Sequence, residues 1–430
     1  MMKPDTLCEP ASTARQVRQA AVEVAPVSVR VRQQPNRVLL VHCRYLQRGG
    51  EDTVFETEFA QLRAAGHEVE RFELLNSDID TSTACARIAA AVGTVWSSAP
   101  TKMLERRLKQ FRPSIVHFHN TFPLLSPRAY LICRAASVPV IQTLHNFRLL
   151  CASAMFLREG RVCEDCMGRR FYRGAVHRCY RGSFAASSAV VAMQYVHHVA
   201  GTFERKVDRY IALSRFARER FVAGGLPADR IVVKPNSLAD DPGFGPGDGA
   251  YALFVGRLSP EKGVRTLLEA WREVPGINLL IAGDGPLRGE VEQRAAEFAG
   301  RVKVLGSVPT REVYALMQRA QFLVVPSEWY EGFPMTIIES YACGTPVLAA
   351  RIGGLTEVVP EGETGLHFES GNAAALARAA VDLSQNRALA QAMRQAARQR
   401  FENHYTAAHN VRALEAIYED ATSAPHHAAQ

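Results

Sequence analysis

The sequence lacks the features that would direct the chain out of the cell. Its first residues, MMKPDTLCEPASTARQ, contain no apolar core of the kind that a secretory signal peptide requires. The nine cysteines are an odd number, so they cannot all pair within the chain. An odd cysteine count without a signal peptide predicts a protein of the reducing cytoplasm.

One stretch of membrane-spanning length lacks charge altogether. Residues 182–203 contain no Lys, Arg, Asp or Glu, and about twenty apolar residues suffice to cross a bilayer. The same stretch holds three Ser, two His, one Gln and one Thr among many Ala, which makes it too polar for a lipid-facing helix. The sequence therefore predicts a buried helix of small residues here.

Length and composition indicate a globular protein of two domains. The 430 residues exceed what one core usually supports, and 47% hydrophobic with 22% charged residues is ordinary for a globular chain. Residues 1–234 hold 34 Lys and Arg against 20 Asp and Glu, whereas residues 235–430 hold 17 against 23. The basic half favours an acidic partner, such as anionic lipid, a diphosphate-bearing acceptor or nucleic acid. The alternative is that the excess arginine only keeps the protein in solution.

Strand-like and helix-like patterns alternate through both halves, which predicts two doubly wound α/β domains facing each other across a cleft. Residues 1–34 show no periodicity and are expected to form a disordered leader. A segment rich in Gly, Pro and Asp separates the halves and is typical of a linker. The expected organisation is an N-terminal domain at 35–235 with a cysteine-rich insertion at 151–181, a linker at 236–250, a C-terminal domain at 251–403, and a helix with a tail at 404–430.

The most informative stretch is SEWYEGFPMTIIESYACGTPV, residues 327–347. It follows an apolar run that predicts a buried strand, and Pro334 supplies the preset φ of a first helical position. The N–H groups and positive dipole end of a helix beginning there favour phosphate. Glu339 would lie about 7 Å along the axis, with its side chain leaning back toward ribose hydroxyls. With Glu331 in the preceding elbow, the pattern predicts a nucleotide-sugar site.

The spelling EGFPMTIIE, with seven residues between Glu331 and Glu339, resembles the E-x7-E motif of the retaining glycosyltransferases of family 4. VGRLSPEKGV at 255–264 and IAGDGPLR at 281–288 stand upstream in the order that this family shows. LGSVP and GGLTEVVPEGETG also fit, and the resemblance spans residues 37 to about 385. It implies the GT-B architecture, with two Rossmann-like domains and a last helix that folds back over the first domain.

The resemblance also implies roles for individual residues. Arg257 and Lys262 would bind the donor diphosphate and act in catalysis, since a guanidinium fork and a point charge suit that group. Glu331 would orient sugar hydroxyls, and His145, at the end of a predicted strand, would lie beside the donor sugar. His119 could also line the cleft. The remaining predicted donor-binding residues are Gly49, Gly50, Gly283, Pro286, Gly332, Phe333, Met335, Thr336 and Glu339.

The reaction that the resemblance implies is hexosyl transfer with retention of configuration. The sugar would pass from a nucleotide-diphosphate sugar to a glycan or lipid-linked acceptor of a bacterial cell-surface polysaccharide. No carboxylate is an evident covalent nucleophile, so the family's same-face mechanism is expected. The only D-x-D, Asp78-Ile79-Asp80, lies away from these motifs and is interpreted as a solvated turn. Catalysis is therefore expected to need no metal or other cofactor.

Four cysteines lie within 29 residues, around one C-x2-C pair. Thiolates at this spacing could hold a structural zinc ion, although the usual two-knuckle form needs two such pairs. Ordinary buried thiols are the alternative. Seven arginines make this insertion the most basic part of the chain, so it could face an acceptor or a membrane. The candidate zinc ligands are Cys151, Cys163, Cys166 and Cys179.

The sequence alone leaves open the role of a second basic segment and two alternative functions of the chain. KMLERRLKQFR, residues 102–112, could lie on anionic lipid at the inner face of the membrane or pack its apolar side on a sheet. The chain could bind nucleic acid through its basic half, although no recognition helix or RNA-stacking motif is present. It could also bind a nucleotide sugar without transferring it.

Overall fold

The computed structural model describes residues 36–45, 49–79 and 82–423, so the expected leader lies outside the described residues. The strands of the first half are β1 Arg37–Arg44, β2 Glu68–Leu75, β3 Ile115–Asn120, β4 Val140–Leu144, β5 Leu157–Arg158, β6 Arg161–Val162, β7 Arg209–Ala212 and β8 Ile231–Val233. The helices of the first half are α1 Gly50–Ala64, α2 Ala84–Val95, α3 Ala99–Phe111, α4 Arg128–Ala135, α5 Tyr172–Val176, α6 Phe184–Val199, α7 Thr202–Arg205 and α8 Arg215–Ala223.

The second half alternates strands and helices more regularly. Its strands are β9 Tyr251–Val255, β10 Asn278–Ala282, β11 Val302–Gly306, β12 Phe322–Val325, β13 Val347–Ala350 and β14 Gly365–Phe368. Its helices are α9 Val264–Trp271, α10 Arg288–Ala296, α11 Thr310–Arg319, α12 Met335–Ala342, α13 Leu355–Val358, α14 Ala373–Gln385, α15 Arg387–His404 and α16 Ala407–Ser423.

Two six-stranded parallel sheets organise these elements, which confirms the predicted α/β class. The first sheet has the order β2-β1-β3-β4-β7-β8 and the second has the order β11-β10-β9-β12-β13-β14. The second order is that of a Rossmann fold, whose strand sequence reverses between β9 and β12. The first sheet reverses between β1 and β3. Ligands of such sheets bind beyond the carboxyl ends of the strands at these reversal points.

Burial explains which strands the sequence predicts well. The central strands β3, β12 and β13 are unbroken apolar or buried runs because helices cover both faces of each sheet. Strand β2 lies at an edge and buries only Phe72 of its eight residues. Its charged sequence, EVERFELL, therefore carries little strand signal.

The uncharged stretch forms α6, and its predicted burial holds for one face only. Val190 and Met193 are buried, whereas Phe184, Tyr195 and Val199 are exposed. The prediction of a buried helix is wrong for the outer face, because α2 and α5 pack beside α6 without covering it. In the described part of the chain, no helix is long and apolar enough to cross a bilayer.

Helix α3 contains most of the second basic segment and packs its apolar side inward. Leu104, Leu108 and Phe111 are buried in the core of the first sheet. Lys102 and Arg106 are exposed on the opposite side. The sheet-packing alternative for this segment is therefore confirmed.

The last helix, α16, lies against the first sheet rather than the second. Leu414 and Tyr418 are buried in one cluster with Val38 and Leu40 of β1. The Tyr418 hydroxyl also lies 2.8 Å from Nδ1 of His117 on β3. The chain thus returns to the first domain after completing the second.

Candidate functional site

The elbow after β12 holds a buried carboxylate in a fixed position. Lys262 Nζ donates to Glu331 Oε1 at 2.7 Å, and the Ser327 hydroxyl donates to the same oxygen at 2.6 Å. Glu331 is 6% exposed, whereas the Lys262 side chain is 26% exposed and lies 5.5 Å from the centre of the Trp329 ring. Lys262 is therefore positioned by Glu331 and still open on one side to an anion.

The turn before α9 places Lys262 against this elbow. Gly263 has a φ of 68°, and a Cβ on it would lie 1.8 Å from the Pro326 carbonyl oxygen. Only glycine allows that backbone conformation with so close an approach. The Glu328 N–H also donates to the Glu261 carbonyl at 2.9 Å. The two predicted motifs, at 255–264 and 327–347, are thus joined through their backbones.

The loops that follow β9 and β10 pair along the same edge of the sheet. The Gly256 N–H donates to the Ala282 carbonyl at 3.0 Å, and the Leu258 N–H donates to that of Asp284 at 2.9 Å. Gly283 lies between these two bonds. The side chains of Arg257 and Pro286 are exposed along the joined edge, where Arg257 makes no salt bridge to any described residue. The structure therefore brings the predicted arginine to the same edge as Lys262.

Helix α12 begins at Met335, one residue after the predicted start, with Pro334 as its N-cap at φ −67°. The N–H groups of its first two residues have no partner within the helix, whereas the Ile337 N–H donates to the Pro334 carbonyl at 3.2 Å. Phe333, just before the helix, packs its ring on Tyr405, with the centres 5.9 Å apart.

Glu339 is the one acidic side chain of this helix, and it is half-buried. Desolvation raises the pKa of its carboxyl group to about 7. In the described part of the chain, this carboxyl group has no hydrogen-bond partner. A ligand hydroxyl would supply the hydrogen bond that the protein does not.

The first domain presents a second helix N-terminus to the same space. A Cβ on Gly50, the first residue of α1, would lie 3.8 Å from Cγ of Met335. Gly49 caps α1 in an extended conformation, and its N–H donates to the Asp52 carboxylate at 2.8 Å. Two helix starts thus converge across the cleft, an arrangement that favours an anion.

His145 follows β4 and lies directly against the elbow. A Cβ on Gly332 would be 2.4 Å from the His145 carbonyl oxygen. The imidazole is buried, and its Nε2 lies 3.0 Å from Nδ1 of His119. Burial lowers the pKa of both imidazoles well below the usual value. His145 and His119 are therefore neutral at physiological pH, and both predicted histidines lie in the same cluster.

Sequence reasoning missed the part of the site that precedes the cysteine-rich insertion. Arg148 lies between the rings of Phe122 and Tyr180, 4.3 and 5.1 Å from their centres. It lines a cavity together with His145 and Asn146. The available signal was the position of HNFR immediately after a predicted strand.

The cysteine-rich insertion also contacts the elbow, which the sequence did not indicate. Tyr330, the residue before Glu331, packs edge-on against Phe156 of the insertion and Phe216 of α8, with ring centres 6.2 and 4.8 Å away. The insertion therefore forms part of the wall of the cleft and connects it to the C-terminal domain.

The four cysteines of the insertion come together as free thiols. The pKa of the Cys166 thiol is raised to about 12, mainly by burial and to a smaller extent by the neighbouring cysteines. Among the described residues, the donor atoms that all lie within 4.8 Å of one another belong to Glu58, His117 and His119 rather than to these cysteines. Zinc binding by Cys151, Cys163, Cys166 and Cys179 stays a prediction.

The D-x-D segment contributes nothing visible to this site. Asp78 ends a single 3-10 turn at 76–78, and its carboxylate accepts from the Ser77 hydroxyl at 3.2 Å. Asp80 lies outside the described residues.

Comparison with known proteins identifies the family of both domains. The model "Glycosyltransferase Family 4" matches residues 48–241, and "Glycosyl transferases group 1" matches residues 241–400. The chain belongs to the GT-B glycosyltransferases. Together the two models cover residues 48–400, which excludes β1 at one end and α16 at the other.

Individual relatives of this glycosyltransferase are distant. An uncharacterized glycosyltransferase of Methanocaldococcus jannaschii is 28% identical over 276 residues, which are 64% of this chain and 66% of the relative. Glycogen synthase of Mycobacterium tuberculosis is 29% identical over 307 residues, 68% of this chain and 65% of the relative. The alignments thus span slightly under two thirds of these relatives. Anabaena HepE, solved with UDP and glucose, shares the fold with a TM-score of 0.62 at 15% identity, over 89% of this chain and 98% of HepE.

The close contact at Gly332 yields a stability prediction for the glycosyltransferase. We expect Gly332→Ala to lower the free energy of unfolding by about 1–3 kcal/mol, because the methyl group overlaps the His145 carbonyl. Gly289→Ala is the matched control, since that helical glycine has open space around its Cβ position and gains up to about 1 kcal/mol. Chemical denaturation of both variants measures the difference. Equal stabilities would show that the elbow does not touch His145.

Proposed function

We propose that this glycosyltransferase moves a sugar, with retention of configuration, from a nucleoside-diphosphate sugar to a glycan or lipid-linked acceptor. The observation that carries the proposal is the Lys262–Glu331 pair, held by Ser327 at the elbow, where Gly332, the residue after Glu331, lies against His145. Among the described residues Glu331 is bonded through one oxygen, so its other oxygen is available to sugar hydroxyls. The lysine is available to the diphosphate.

Negative charge develops on the leaving diphosphate as the glycosidic bond breaks, and fixed donors aimed at that oxygen lower the barrier. Lys262 and Arg257 supply two cationic groups along one edge of the second sheet. The first-turn N–H groups of Met335 and Thr336, opposite the start of α1, supply neutral donors and the positive ends of two helices. Because these charges belong to the protein, we expect the reaction to proceed in EDTA.

Retention follows from how the carboxylates are used. A double displacement needs a carboxylate free to attack the anomeric carbon. Glu331 is already paired with an ammonium group, and Glu339 lies five residues into α12 at the position suited to a ribose. The proposed mechanism therefore lets the leaving phosphate accept the proton of the attacking hydroxyl on the same face. The complex of Anabaena HepE with UDP and glucose supports a nucleotide sugar as the donor.

We expect one class among UDP-, GDP- and ADP-sugars to raise the melting temperature, equally with and without EDTA. Lys262→Ala should abolish that shift and lower turnover of the donor by about 100- to 1000-fold, because it removes a fixed donor to the leaving oxygen. Lys303→Ala is the control, since it removes an exposed lysine from strand β11 of the same domain. Differential scanning fluorimetry and nucleotide release measure the two effects.

The outcomes separate the candidate functions. A melting shift with no sugar transfer to any glycan or lipid acceptor would indicate a nucleotide-sugar-binding protein instead. The absence of a shift with every donor would contradict the donor site itself. Salt-dependent binding to nucleic acid in that case would support the other alternative.

Donor affinity should depend on pH through Glu339. A carboxyl group accepts from ribose hydroxyls most strongly when it is ionised, and its pKa of about 7 leaves it substantially protonated at neutral pH before binding. Binding therefore releases a proton, and affinity rises as the pH increases from 6 to 8, by at most about tenfold per unit below the pKa. Titration calorimetry at pH 7 in two buffers of different ionisation enthalpy measures the released proton. The Glu339→Gln variant should bind the donor less tightly, and its heat of binding should not depend on the buffer. If the heat of binding of the unaltered protein is also independent of the buffer, Glu339 does not release a proton on binding.

A lipid-linked acceptor is favoured by a surface that α2, α5 and α6 form together, here called the apolar helix face. Three side chains at helical spacing on α2, Ile88, Val92 and Trp96, are 65%, 59% and 44% exposed. Helix α6 packs between α2 and α5 and adds further exposed apolar residues. Those of α5 and α6 are Tyr172, Val176, Phe184, Tyr195 and Val199.

The charges around the apolar helix face are mostly basic, although Arg169 and Arg173 lie near Glu204 and Asp165 at its border. Residues 166–203 contain five arginines and no Asp or Glu, and residues 81–104 also lack acidic side chains. Exposed apolar groups bordered by cations fit the boundary of an anionic bilayer. We therefore propose peripheral contact with anionic lipid at this face.

Vesicle flotation tests this contact. We expect the protein to float with phosphatidylcholine vesicles containing phosphatidylglycerol, less with phosphatidylcholine alone, and less at high salt. Ile88→Ser combined with Val92→Ser should reduce the bound fraction severalfold, because each change removes apolar area from the bilayer contact. Leu305→Ser is the control, since Leu305 is an exposed apolar residue of the other domain. Equal flotation of both variants would place any lipid contact elsewhere.

A further inference from the structure

A row of buried polar side chains leads away from His145 into the first domain. His145 Nε2 lies 3.0 Å from His119 Nδ1, and His119 Nε2 lies 3.4 Å from the Glu58 carboxylate. The other Glu58 oxygen accepts from Lys234 Nζ at 2.8 Å. Glu58, His119 and Lys234 are each 2% exposed or less. Groups so costly to bury are retained when they are mutually satisfied or have a function.

The chemistry of these groups decides where the protons lie. Glu58 accepts from the Lys234 ammonium on one oxygen, so its other oxygen is an acceptor that carries negative charge. His119 Nε2 faces the second Glu58 oxygen at 3.4 Å, where the two atoms attract electrostatically without meeting as a hydrogen bond, so the negative charge favours the proton on Nε2. A neutral imidazole has one N–H, so Nδ1 of His119 is an acceptor and His145 must donate to it from Nε2. The lone pair of His145 is consequently on Nδ1.

We propose that His119 and Glu58 are positioning residues that hold His145 as the Nε2–H tautomer. Nδ1 of His145 then accepts a hydrogen bond from a sugar hydroxyl in the cleft, where the opposite tautomer would present a donor instead. The inference rests on the proposed function for its effect on turnover, while the tautomer itself does not depend on that function. No described residue hydrogen-bonds this nitrogen, which leaves it available to substrate.

Glu58 is held in place from the other end of the chain. Lys234 Nζ donates to the Asn410 side-chain oxygen at 2.5 Å, and the Asn410 amide donates to Gln61 Oε1 at 2.6 Å. Asn410 belongs to α16, whereas Glu58 and Gln61 belong to α1. Helix α16 thus holds Lys234 in place, and Lys234 in turn holds the Glu58 carboxylate.

The same atoms are close enough to suggest a metal site, but their bonding does not fit one. Donor atoms of Glu58, His117 and His119 lie within 4.8 Å of one another. Both nitrogens of His117 are already bonded, Nδ1 to the Tyr418 hydroxyl and Nε2 to that of Thr143, each at 2.8 Å. A divalent cation would also lie near the Lys234 ammonium, whose like charge opposes it.

Nitrogen-15 NMR of the full chain with labelled histidine tests the tautomer directly, because protonated and unprotonated ring nitrogens have distinct chemical shifts. We expect His145, assigned by comparison with His145→Gln, to show the Nε2–H form. His119→Leu removes the acceptor and should convert the signal to a mixture of tautomers. His119→Gln should keep the Nε2–H form, because its side-chain oxygen can accept in place of Nδ1.

Turnover of the donor should follow the same order. His119→Leu is expected to lower kcat by about 10- to 100-fold, the range seen when partners that orient a functional histidine are removed, with a smaller change in KM. His119→Gln should recover most of that loss. His367→Gln, which alters a buried histidine bonded to the Val359 carbonyl in the other domain, is the control for fold and activity.

Three results would overturn the inference. The first is an Nδ1–H or doubly protonated His145 in the unaltered protein. The second is a His145 signal that His119→Leu leaves unchanged. The third is one equivalent of zinc in the purified protein that His119→Leu releases. If the unaltered protein shows the Nε2–H form yet turns over no nucleotide sugar, the tautomer assignment stands and the proposed function fails.

Discussion

The contact between the Gly332 backbone and the His145 carbonyl determines how the two sheets share one site. A side chain at Gly332 would overlap that oxygen, so only a bare backbone lets the elbow of the second domain reach the end of β4 in the first. The carboxyl ends of both sheets consequently border the same space. The Lys262–Glu331 pair comes from one side and the histidine pair from the other, although more than a hundred residues separate them in the chain.

The buried charges around this space divide into satisfied and unsatisfied groups, and the division suggests which groups await a ligand. Glu331 has an ammonium and a hydroxyl on one oxygen, and Glu58 has its lysine on one oxygen while the other has only the charge contact with His119. Glu339 is half-buried and has no partner among the described residues, and desolvation raises its pKa to about 7. A partly buried carboxyl group without a hydrogen-bond donor lowers the stability of the fold when it is ionised, because desolvation disfavours its charge. Hydroxyl donors from a bound molecule would remove that cost, which is why Glu339 rather than Glu331 is expected to report binding through pH.

Local sequence signals were sufficient for the second domain and insufficient for the contacts that complete the site. The buried apolar run that forms β12 and the proline that precedes α12 lie close together in the sequence. The strand, the elbow and the helix could therefore be predicted to within a residue. The edge strand β2 was missed because only Phe72 is buried. The His119–His145 bond depends on β3 lying beside β4, and the Phe156–Tyr330 contact depends on how the insertion folds. Neither pairing has a signal in residue spacing. The outer face of α6 was predicted wrongly because apolar residues occur on both of its sides, and composition alone does not show which side is covered.

The position of α6 connects the acceptor question to the chemistry. Met193, on its buried face, lines the cavity that also contains His145 and Arg148. Tyr195 and Val199, on its other face, belong to the apolar helix face. One helix, about 10 Å across, therefore separates His145 from the proposed lipid contact. On the proposed function, an acceptor sugar attached to a lipid through a short diphosphate could reach the cavity while its lipid stayed in the bilayer. A long soluble glycan would not need a site so close to the membrane. The short distance across α6 therefore favours a lipid-linked acceptor whose glycan chain has only begun to grow.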